Sequence, residues 1–411
     1  MKYKWIFFLP AVLLLISSSA GLILYFNHQQ ASQVVTVMKK VEEPKAVSPK
    51  AETPLKAPEN VAEKGMTEEK KEEKINAEEK KDVLKIIAVG DILLGRGVGS
   101  RLEKDKRGYI YPFEKVANFL KEGDVVFANL EEPITASTHG LLGINQGGKY
   151  VLKNDVKAFE GIKYAGFNIV NLANNHILDY YDKGLYDTLE LLDKNGIVYA
   201  GAGKNLNEAR KPARIERKNL KIGMLSYTDM SEVLYKGNPP IRFIADKSKA
   251  GVAPRNTGYI KEDVDKLRKE ADLVIVSLHW GKEESFDVLP EQIELAHTLM
   301  DQGVDIILGH HPHQFQGIEI YKGKPIIYSM GNFLFDQNDP ENQESFILNM
   351  EYTGKRLTAF HARPVKTVDK TQVVPVTGKD AESLLQREVM LSQKLNSKCK
   401  IKEDQIEFEL P

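Results

Sequence analysis

Short apolar runs that alternate with helical patterns limit the folds open to this 411-residue chain more than any other feature. The runs are rich in Val, Ile and Leu, and they cover residues 86–89, 125–128, 169–172, 222–225, 273–277, 306–308 and 326–328. Helical patterns separate them at residues 112–121, 156–165, 185–194, 262–270 and 290–302. Buried strands that alternate with helices predict an α/β fold with a largely parallel or mixed sheet.

The last part of the chain has a different pattern. Residues 346–352 are typical of one more strand, and because no helical pattern follows, we predict that this strand lies at a sheet edge. After residue 365 the apolar pattern becomes sparser, and one helix is predicted over residues 380–395. We therefore divide this part of the chain into a main domain at residues 83–365 and a C-terminal helical extension at residues 366–411.

The N-terminus determines the compartment that we expect. Residues 5–26 carry no charge, and at about 1.5 Å per residue a helix of this length spans a hydrocarbon core of roughly 30 Å. Lys2 and Lys4 precede this run, which predicts a cytoplasmic N-terminus at residues 1–4 and an extracellular domain. Small residues at 17–21 leave a cleaved signal peptide as the alternative. The apolar run continues beyond them, and this favours a single transmembrane anchor in the cell membrane.

Residues 27–82 are predicted to be a disordered, charged linker between the anchor and the domain. Proline punctuates their earlier part, and Lys and Glu dominate residues 63–81. With so few apolar side chains, the segment cannot offset the entropy that it would lose on ordering. The formal net charge of the whole chain is −1, so its overall charge gives no indication of a nucleic-acid partner.

Polar clusters directly follow five of the predicted strands. In chain order they are Asp91; Glu131 and Glu132; Asn174, Asn175 and His176; His279; and His310, His311 and His313. Sites in open α/β sheets form beyond the carboxyl ends of the strands, where several loops converge on a rigid base. Five of the nine histidines fall in these loops. We therefore expect one site that is built from all five clusters.

The residue types in these clusters favour a divalent metal. Neutral imidazoles with carboxylate and amide oxygens suit zinc, manganese or iron. The lone Cys399 excludes an intramolecular disulfide and a cysteine-based zinc site. Two ions bridged by an acidic residue would lower the pKa of a bound water and hold a phosphoryl oxygen. His311 and His313 alternate along the chain, so both reach one site only if Pro312 shapes a turn.

Each cluster also has a structural interpretation. Asp91 could cap the segment after its strand, and Glu131 and Glu132 could be ordinary loop charges. Asn175 could support a turn, and His176 could lie beside a ligand without being one. His279 and the more distant histidines could be packing residues. The case for a site therefore depends on the five clusters lying together.

The motifs around these clusters resemble the CapA family of capsule and poly-γ-glutamate synthesis proteins, which is similar to the calcineurin-type metallophosphoesterases. The resemblance covers roughly residues 84–364. The matching motifs are AVGDILLGR (88–96), ANLEEPIT (128–135), NIVNLANNHILDY (168–180), SLHWGKE (277–283), LGHHPHQFQ (308–316) and SMGNFLFD (329–336). The resemblance implies a metallophosphoesterase-like, four-layer α/β/β/α sandwich.

The resemblance also implies a role for most of the polar residues. By motif position, the implied metal ligands are Asp91, Glu131, Asn175, His279, His311 and His313. The implied catalytic residues are His176, which would stabilise the transition state or leaving group, and Glu131, which would take the place of a bridging Asp. His310 is then an additional histidine, and Asn332 and Asp336 of the last motif are expected at the mouth of the site.

One position departs from the metallophosphoesterase pattern. A histidine usually stands two residues after the first-motif Asp, whereas this chain has Leu93 there. The loss of that ligand would weaken the coordination of one ion. The resemblance therefore leaves open whether one or two ions of manganese, zinc or iron bind, and whether the chain is a phosphatase.

We expect a metal-dependent hydrolase or transferase-like protein that acts in the synthesis, export or anchoring of an anionic extracellular polymer. The family resemblance supplies poly-γ-glutamate or a capsular polymer as the partner, together with membrane synthase subunits, and the N-terminal helix would contact membrane lipid. Two alternatives are a non-catalytic scaffold subunit of a polymer synthase complex and a phosphoesterase that acts on phosphate polymers of the cell envelope.

Overall fold

The computed structural model describes residues 83–141, 150–232 and 241–411. The predicted cytoplasmic segment 1–4, the anchor at 5–26 and the linker at 27–82 lie outside the described residues. None of the helices within the described ranges is both long enough and apolar enough to cross a membrane.

Strands occur along the whole described chain. Their bounds are β1 Val83–Ile92, β2 Val125–Leu130, β3 Ile169–Asn171, β4 Val198–Ala200, β5 Ala202–Gly203, β6 Ala213–Arg217, β7 Leu220–Thr228, β8 Gly251–Val252, β9 Leu273–His279, β10 Ile306–His310, β11 Ile318–Tyr321, β12 Lys324–Ile327, β13 Asn332–Leu334, β14 Glu344–Thr353, β15 Arg356–Val368, β16 Gln372–Pro375, β17 Cys399–Lys402 and β18 Gln405–Phe408.

Helices connect most of the parallel strands. The α-helices are α1 Arg96–Leu102, α2 Ala117–Leu120, α3 Phe159–Ala165, α4 Tyr181–Lys194, α5 Leu206–Ala209, α6 Thr257–Leu267, α7 Pro290–Asp301 and α8 Lys379–Lys394. Short 3₁₀ turns cover Gly108–Phe113, Val156–Ala158, Asp229–Glu232 and Glu341–Gln343.

Two large sheets form the framework of the domain. In the first, the described strands follow the order β17-β18-β15-β14-β1-β2-β3-β4, with β13 beside β1 and β16 beside β15. Strands β1 to β4 run parallel, whereas β14, β15 and β18 are antiparallel additions. The second sheet has the order β11-β12-β10-β9-β7-β6, with β7, β9, β10 and β12 parallel. In each sheet, therefore, the carboxyl ends of several parallel strands lie side by side.

The apolar side chains of the two sheets divide into three clusters, and this division defines the layers. Ile86 of the first sheet and Ile275 of the second belong to one cluster, which both sheets share. Ile87, next along β1, faces the opposite way and belongs to a cluster with Leu185 of α4. On the other side of the second sheet, Val276 shares a cluster with residues of α6 and α7. Helices thus cover both outer faces, and the predicted mixed α/β fold is confirmed.

The prediction of an edge strand at residues 346–352 is wrong. This segment forms β14, which lies inside the first sheet between β1 and β15. Gly354, with a φ of +57°, turns the chain directly into β15, because Thr353 pairs with Arg356. A missing helix after a strand therefore indicated an antiparallel hairpin here and not an edge.

Two other segments differ from their predicted form. The helix expected at 112–121 is broken into the turn Gly108–Phe113, with Pro112 inside it, and the short helix α2. Pro112 has no backbone N–H, and Val116 N donates to Phe113 O in the tighter 3₁₀ pattern. Residues 366–411, predicted as a helical extension, contain α8 and also β16, β17 and β18, which join the first sheet.

Candidate functional site

The polar clusters lie where the parallel strands end. In the first sheet, Asp91 is near the end of β1, Glu131 follows β2, and Asn175 follows β3 by four residues. In the second sheet, His279 ends β9 and His310 ends β10, and the two are register partners. The apolar side chains of each strand pack in the core. The polar residues at its carboxyl end therefore lie where the parallel strands of the sheet end.

Side chains from the two sheets contact one another directly at this edge. His310 Nδ1 donates a hydrogen bond to Asp91 Oδ1 over 2.9 Å. His279 Nε2 donates to Asn175 Oδ1, also over 2.9 Å, and lies 3.7 Å from Glu131 Oε1. All five side chains are buried. Loops from different parts of the chain therefore place these imidazole, amide and carboxylate groups together.

Asn129 holds the two acidic residues side by side. Its Nδ2 donates to Asp91 Oδ1 over 2.8 Å and also to Glu131 Oε2. Its own Oδ1 accepts a hydrogen bond from Asn171 Nδ2 over 2.8 Å, which fixes the orientation of the amide. The sequence pattern does not single out Asn129, because this residue lies within a strand and not after one. The signal was a polar residue in an apolar run, two positions before Glu131 and on the same face.

The loop after β10 turns so that its histidines face the same region. His311 and His313 have φ values of 98° and 63°, on either side of Pro312. His311 Nδ1 lies 3.1 Å from His279 Nε2, and His313 Nδ1 donates to Asn332 Oδ1 over 2.9 Å. The turn that both histidines require to reach one site is therefore present. Asn332 supports His313, in line with its expected place near the site.

His176 forms a pair with an acidic residue. Its Nδ1 lies 2.8 Å from Asp179 Oδ2, and the same oxygen accepts a hydrogen bond from Leu152 N over 2.7 Å. Asp179 is fully buried, whereas the His176 side chain is 15% exposed. Asp179 was also missed in the sequence analysis, although its spacing of three residues from His176 was a usable signal. The contact with Asp179 occupies Nδ1, so Nε2 is the ring nitrogen that is left for another partner.

Burial and neighbouring groups shift the pKa values of several of these residues. Burial, and then the nearby Asp91, raise the pKa of Glu131 well above its usual range. Burial and the adjacent imidazoles lower the pKa of His279, and burial and His313 lower that of His311 to about 3. Burial would raise the pKa of Asp91, but the hydrogen bond and charge of His310 outweigh it and lower the pKa. The His279 and His311 imidazoles are therefore neutral near pH 7.

Several nitrogen and oxygen atoms of the cluster that could bind a metal are buried without a hydrogen-bond partner. They are Asp91 Oδ2, Glu131 Oε1, His279 Nδ1 and His310 Nε2. Among the described residues, however, no group of three or more His, Cys, Asp or Glu side chains is arranged so that it could hold a metal ion. The predicted ligands lie together, but several of them bond to one another. Their role as metal ligands remains a prediction.

Leu93 occupies the position at which the resemblance calls for another histidine. Its side chain is fully buried, and it belongs to the apolar cluster on the helix-covered face of the first sheet. The backbone of Leu93 is fixed there by a 2.8 Å hydrogen bond from its N to Leu334 O. Leu93 is thus a packing residue of the core.

Comparison with known proteins gives a consistent set of relatives. Residues 85–337 match the family model described as bacterial capsule synthesis protein PGA_cap. The chain is 32% identical to the PGA biosynthesis protein CapA of Bacillus subtilis (strain 168), over 80% of this chain and 83% of that protein. It is 29% identical to the capsule biosynthesis protein CapA of Bacillus anthracis, over 80% of this chain and 78% of that protein.

A comparison with solved structures finds more distant similarity. The 5′-nucleotidase of Candida albicans SC5314 is 10% identical, with a TM-score of 0.39. The matched region covers 69% of this chain and 52% of that chain. This chain thus spans about half the length of the nucleotidase.

Proposed function

The chain belongs to the PGA_cap family of bacterial capsule synthesis proteins, and from this premise we propose that it is a membrane-anchored, extracytoplasmic accessory protein with a metal-dependent, hydrolase-type site. Its partner would be poly-γ-glutamate or a similar anionic capsular polymer. It would act in the synthesis, export or anchoring of that polymer, beside membrane synthase subunits. The anchor would be residues 5–26.

The contact between the two sheet edges is the observation that carries the metal site. The pairs Asp91–His310 and Asn175–His279 each join one sheet to the other within 2.9 Å. A simple structural contact would not require so many buried polar groups, because each costs free energy when it is taken out of water. We infer that the cost is offset by a function at this edge.

The residue types fit one or two divalent ions such as manganese, zinc or iron. The unpartnered Asp91 Oδ2 and Glu131 Oε1 are oxygens of the kind that such ions bind, and the low pKa values of His279 and His311 keep their imidazoles in the neutral form that binds metal. A cation would also favour the ionised form of Glu131, whose pKa burial and the nearby Asp91 raise. The residues that would hold it are Asp91, Glu131, Asn175, His279, His311 and His313. Once bound, such an ion supplies an activated water and polarises the bond under attack.

The chain's own contribution to bond cleavage would be a proton. When an amide bond of a γ-linked glutamate chain breaks, the leaving nitrogen must gain a proton. His176 can supply it from Nε2, because Asp179 holds the other ring nitrogen. The partial exposure of His176 lets it reach a substrate at the site. Glu131 would position the bound ion.

A direct test is to measure bound metal and polymer cleavage with the full-length protein in detergent. We expect stoichiometric divalent metal and cleavage of poly-γ-glutamate in the wild type, with both reduced strongly in Asp91→Asn and His279→Ala. An exposed control, Asp182→Asn, should behave like the wild type. Absence of metal from the wild-type protein at micromolar free metal would contradict the proposal.

A scaffold without catalysis is the second candidate, and two observations favour it. The described residues contain no ready group of metal ligands, and Leu93 replaces a ligand of the related enzymes by a core residue. Complementation separates the two functions, because a scaffold carrying His279→Ala would still restore polymer production in cells that lack the wild-type chain. A metal-dependent enzyme with the same change would not.

A further inference from the structure

Arg96 and Asp336 form an ion pair next to the candidate site. Arg96 begins α1, shortly after the carboxyl end of β1, and Asp336 follows β13, which pairs with β1. Arg96 Nε lies 3.0 and 2.9 Å from the two oxygens of Asp336, and Nη2 donates to Oδ1 as well. Gly97 N also donates to Asp336, over 2.9 Å. The carboxylate is therefore fixed, and it fixes the plane of the guanidinium.

Part of the Arg96 guanidinium makes no hydrogen bond with Asp336. The Asp336 side chain is 9% exposed and the Arg96 side chain 30%. Burial would raise the pKa of Asp336, but the hydrogen bonds and charge of Arg96 outweigh it and lower that pKa, so the carboxylate stays ionised. A guanidinium has five N–H donors, and the two on Nη1 do not face Asp336. Within the described part of the chain, no residue accepts a hydrogen bond from Nη1 of Arg96.

Two ring contacts place this guanidinium close to the histidine loop. Arg96 Cζ lies 5.5 Å from the centre of the Phe335 ring, and that ring lies 5.2 Å from the ring of His313. Arg96 is therefore a cation that is held in a defined orientation at the rim of the site.

One acidic side chain is exposed at the same site, and a polyanion would need a cation to offset it. The side chain of Glu283 is 56% exposed and lies 4.0 Å from His311. A poly-γ-glutamate chain carries one free carboxylate per residue, and these charges would be repelled by the exposed acid. The planar fork of an arginine matches a carboxylate in geometry as well as in charge.

We propose that Arg96, oriented by Asp336, binds a carboxylate of the γ-linked glutamate polymer and positions the neighbouring linkage at the candidate site. This inference rests on the function proposed above. Asp336 is then a positioning residue, and the free Nη1 group is the part that contacts the polymer.

Binding of the full-length protein in detergent to fluorescently labelled poly-γ-glutamate tests this role. We expect Arg96→Gln to weaken binding about tenfold or more, and Arg96→Lys to weaken it less, because lysine keeps the charge and loses the fork. Arg101→Gln is the matched control, since Arg101 lies on the same helix and is exposed, and within the described chain its side chain bonds only to Gly97 O. This control should change binding less than about twofold.

Bound metal and the thermal midpoint, measured on the same samples, identify variants that have not folded. If Arg96→Gln does not fold, Arg96→Lys still provides the comparison. Wild-type affinity in both Arg96 variants would overturn the inference and leave the proposed function standing, and so would equal losses in Arg96→Gln and Arg101→Gln. A wild-type protein that does not bind poly-γ-glutamate would overturn the proposed function and this inference together.

Discussion

His310 and Asp91 are hydrogen-bonded over 2.9 Å although 219 positions separate them in the chain. Asp91 belongs to β1 of the first sheet and His310 to β10 of the second, and both side chains are fully buried. Together with the contact between His279 and Asn175, this bond joins the strand ends of two sheets whose facing sides pack through apolar residues. It also fixes the two groups around which the other polar residues of the site are arranged.

Loss of this bond should destabilise the protein. We expect His310→Ala to lower the free energy of unfolding by about 3 kcal/mol, because Asp91 would be left buried with a weaker set of partners. Urea denaturation of the full-length chain in the presence of a chelator measures the change. His139→Ala, at an exposed loop position, is the control and should change stability by less than about 0.5 kcal/mol. Equal stability of the two variants would show that the two sheet edges are not joined in this way.

The pair His176–Asp179 makes a separate prediction about catalysis. Asp179→Asn should reduce polymer cleavage about a hundredfold or more, since a neutral amide neither stabilises the protonated imidazole nor fixes the tautomer that proton transfer requires. Bound metal should stay at the wild-type level, because Asp179 is not among the predicted ligands. Parallel measurements of turnover and metal content check both statements. Wild-type turnover in this variant would contradict the role of the pair, and Asp182→Asn on the adjacent helix controls for the charge that is lost.

Position after a strand was enough to predict which polar side chains would lie together, although their function stays a prediction. Asp91 and His279 emerge at the carboxyl ends of strands, and the α/β pattern predicts that such ends converge. Asn129 could not be found by this rule, because it lies inside a strand and its role depends on which residues flank it in space. Periodicity did not show the contact of the two sheets either, since the pattern within one strand does not show which other sheet it faces; only the family resemblance implied two packed sheets.

The strand β14 shows why topology was harder to predict than the elements themselves. The apolar residues at 346–352 predicted a strand correctly, but its place in the sheet was wrong. An antiparallel strand follows its neighbour through a short turn, so it lacks the helix that marks a parallel connection. The lack of a helix after residue 352 therefore fitted either an edge strand or a hairpin. Gly354 was the local signal that favoured the hairpin.

Glu388 on α8 predicts a dependence of stability on pH. The side chain is fully buried, and burial raises its pKa to about 8 although Ser392 donates a hydrogen bond to it. A carboxyl whose pKa is higher in the folded state than in the unfolded state stabilises the fold fully at a pH below its unfolded pKa, which is about 4.3 for Glu. This stabilisation is lost as the pH rises to the folded pKa of about 8. The wild type should therefore lose stability relative to Glu388→Gln across this window, by at most about 1.4 kcal/mol per pH unit.

Urea denaturation of the full-length chain at several pH values between 5 and 8 measures this difference. Glu382→Gln is the matched control, because Glu382 lies on the same helix and is exposed. A difference between wild type and Glu388→Gln that stays constant with pH, or that follows the Glu382→Gln control, would contradict a proton held at Glu388.

The proposed membrane anchor predicts where the protein is found in the cell. The full-length chain should sediment with membranes, and a protease added to intact protoplasts should degrade its domain. A chain without residues 5–26 should appear in the soluble fraction and resist the protease, because the same segment directs export. Release of the full-length domain into the medium would instead indicate that the apolar segment is cleaved.

Substitution of Leu93 tests whether this residue stands in the place of a metal ligand or belongs only to the core. If the chain had only lost a ligand, Leu93→His would restore it and increase the bound metal by up to one equivalent. The structure predicts the opposite, because Leu93 packs on the helix-covered face with its side chain fully buried. We expect Leu93→His to lower the free energy of unfolding by about 2–4 kcal/mol without any gain in metal, since it removes apolar contacts and buries an unpaired imidazole. Leu93→Met, of similar volume, should cost less than about 1.5 kcal/mol. Metal analysis and urea denaturation of the two variants test this, and a gain of metal in Leu93→His would mean that this side chain reaches the site.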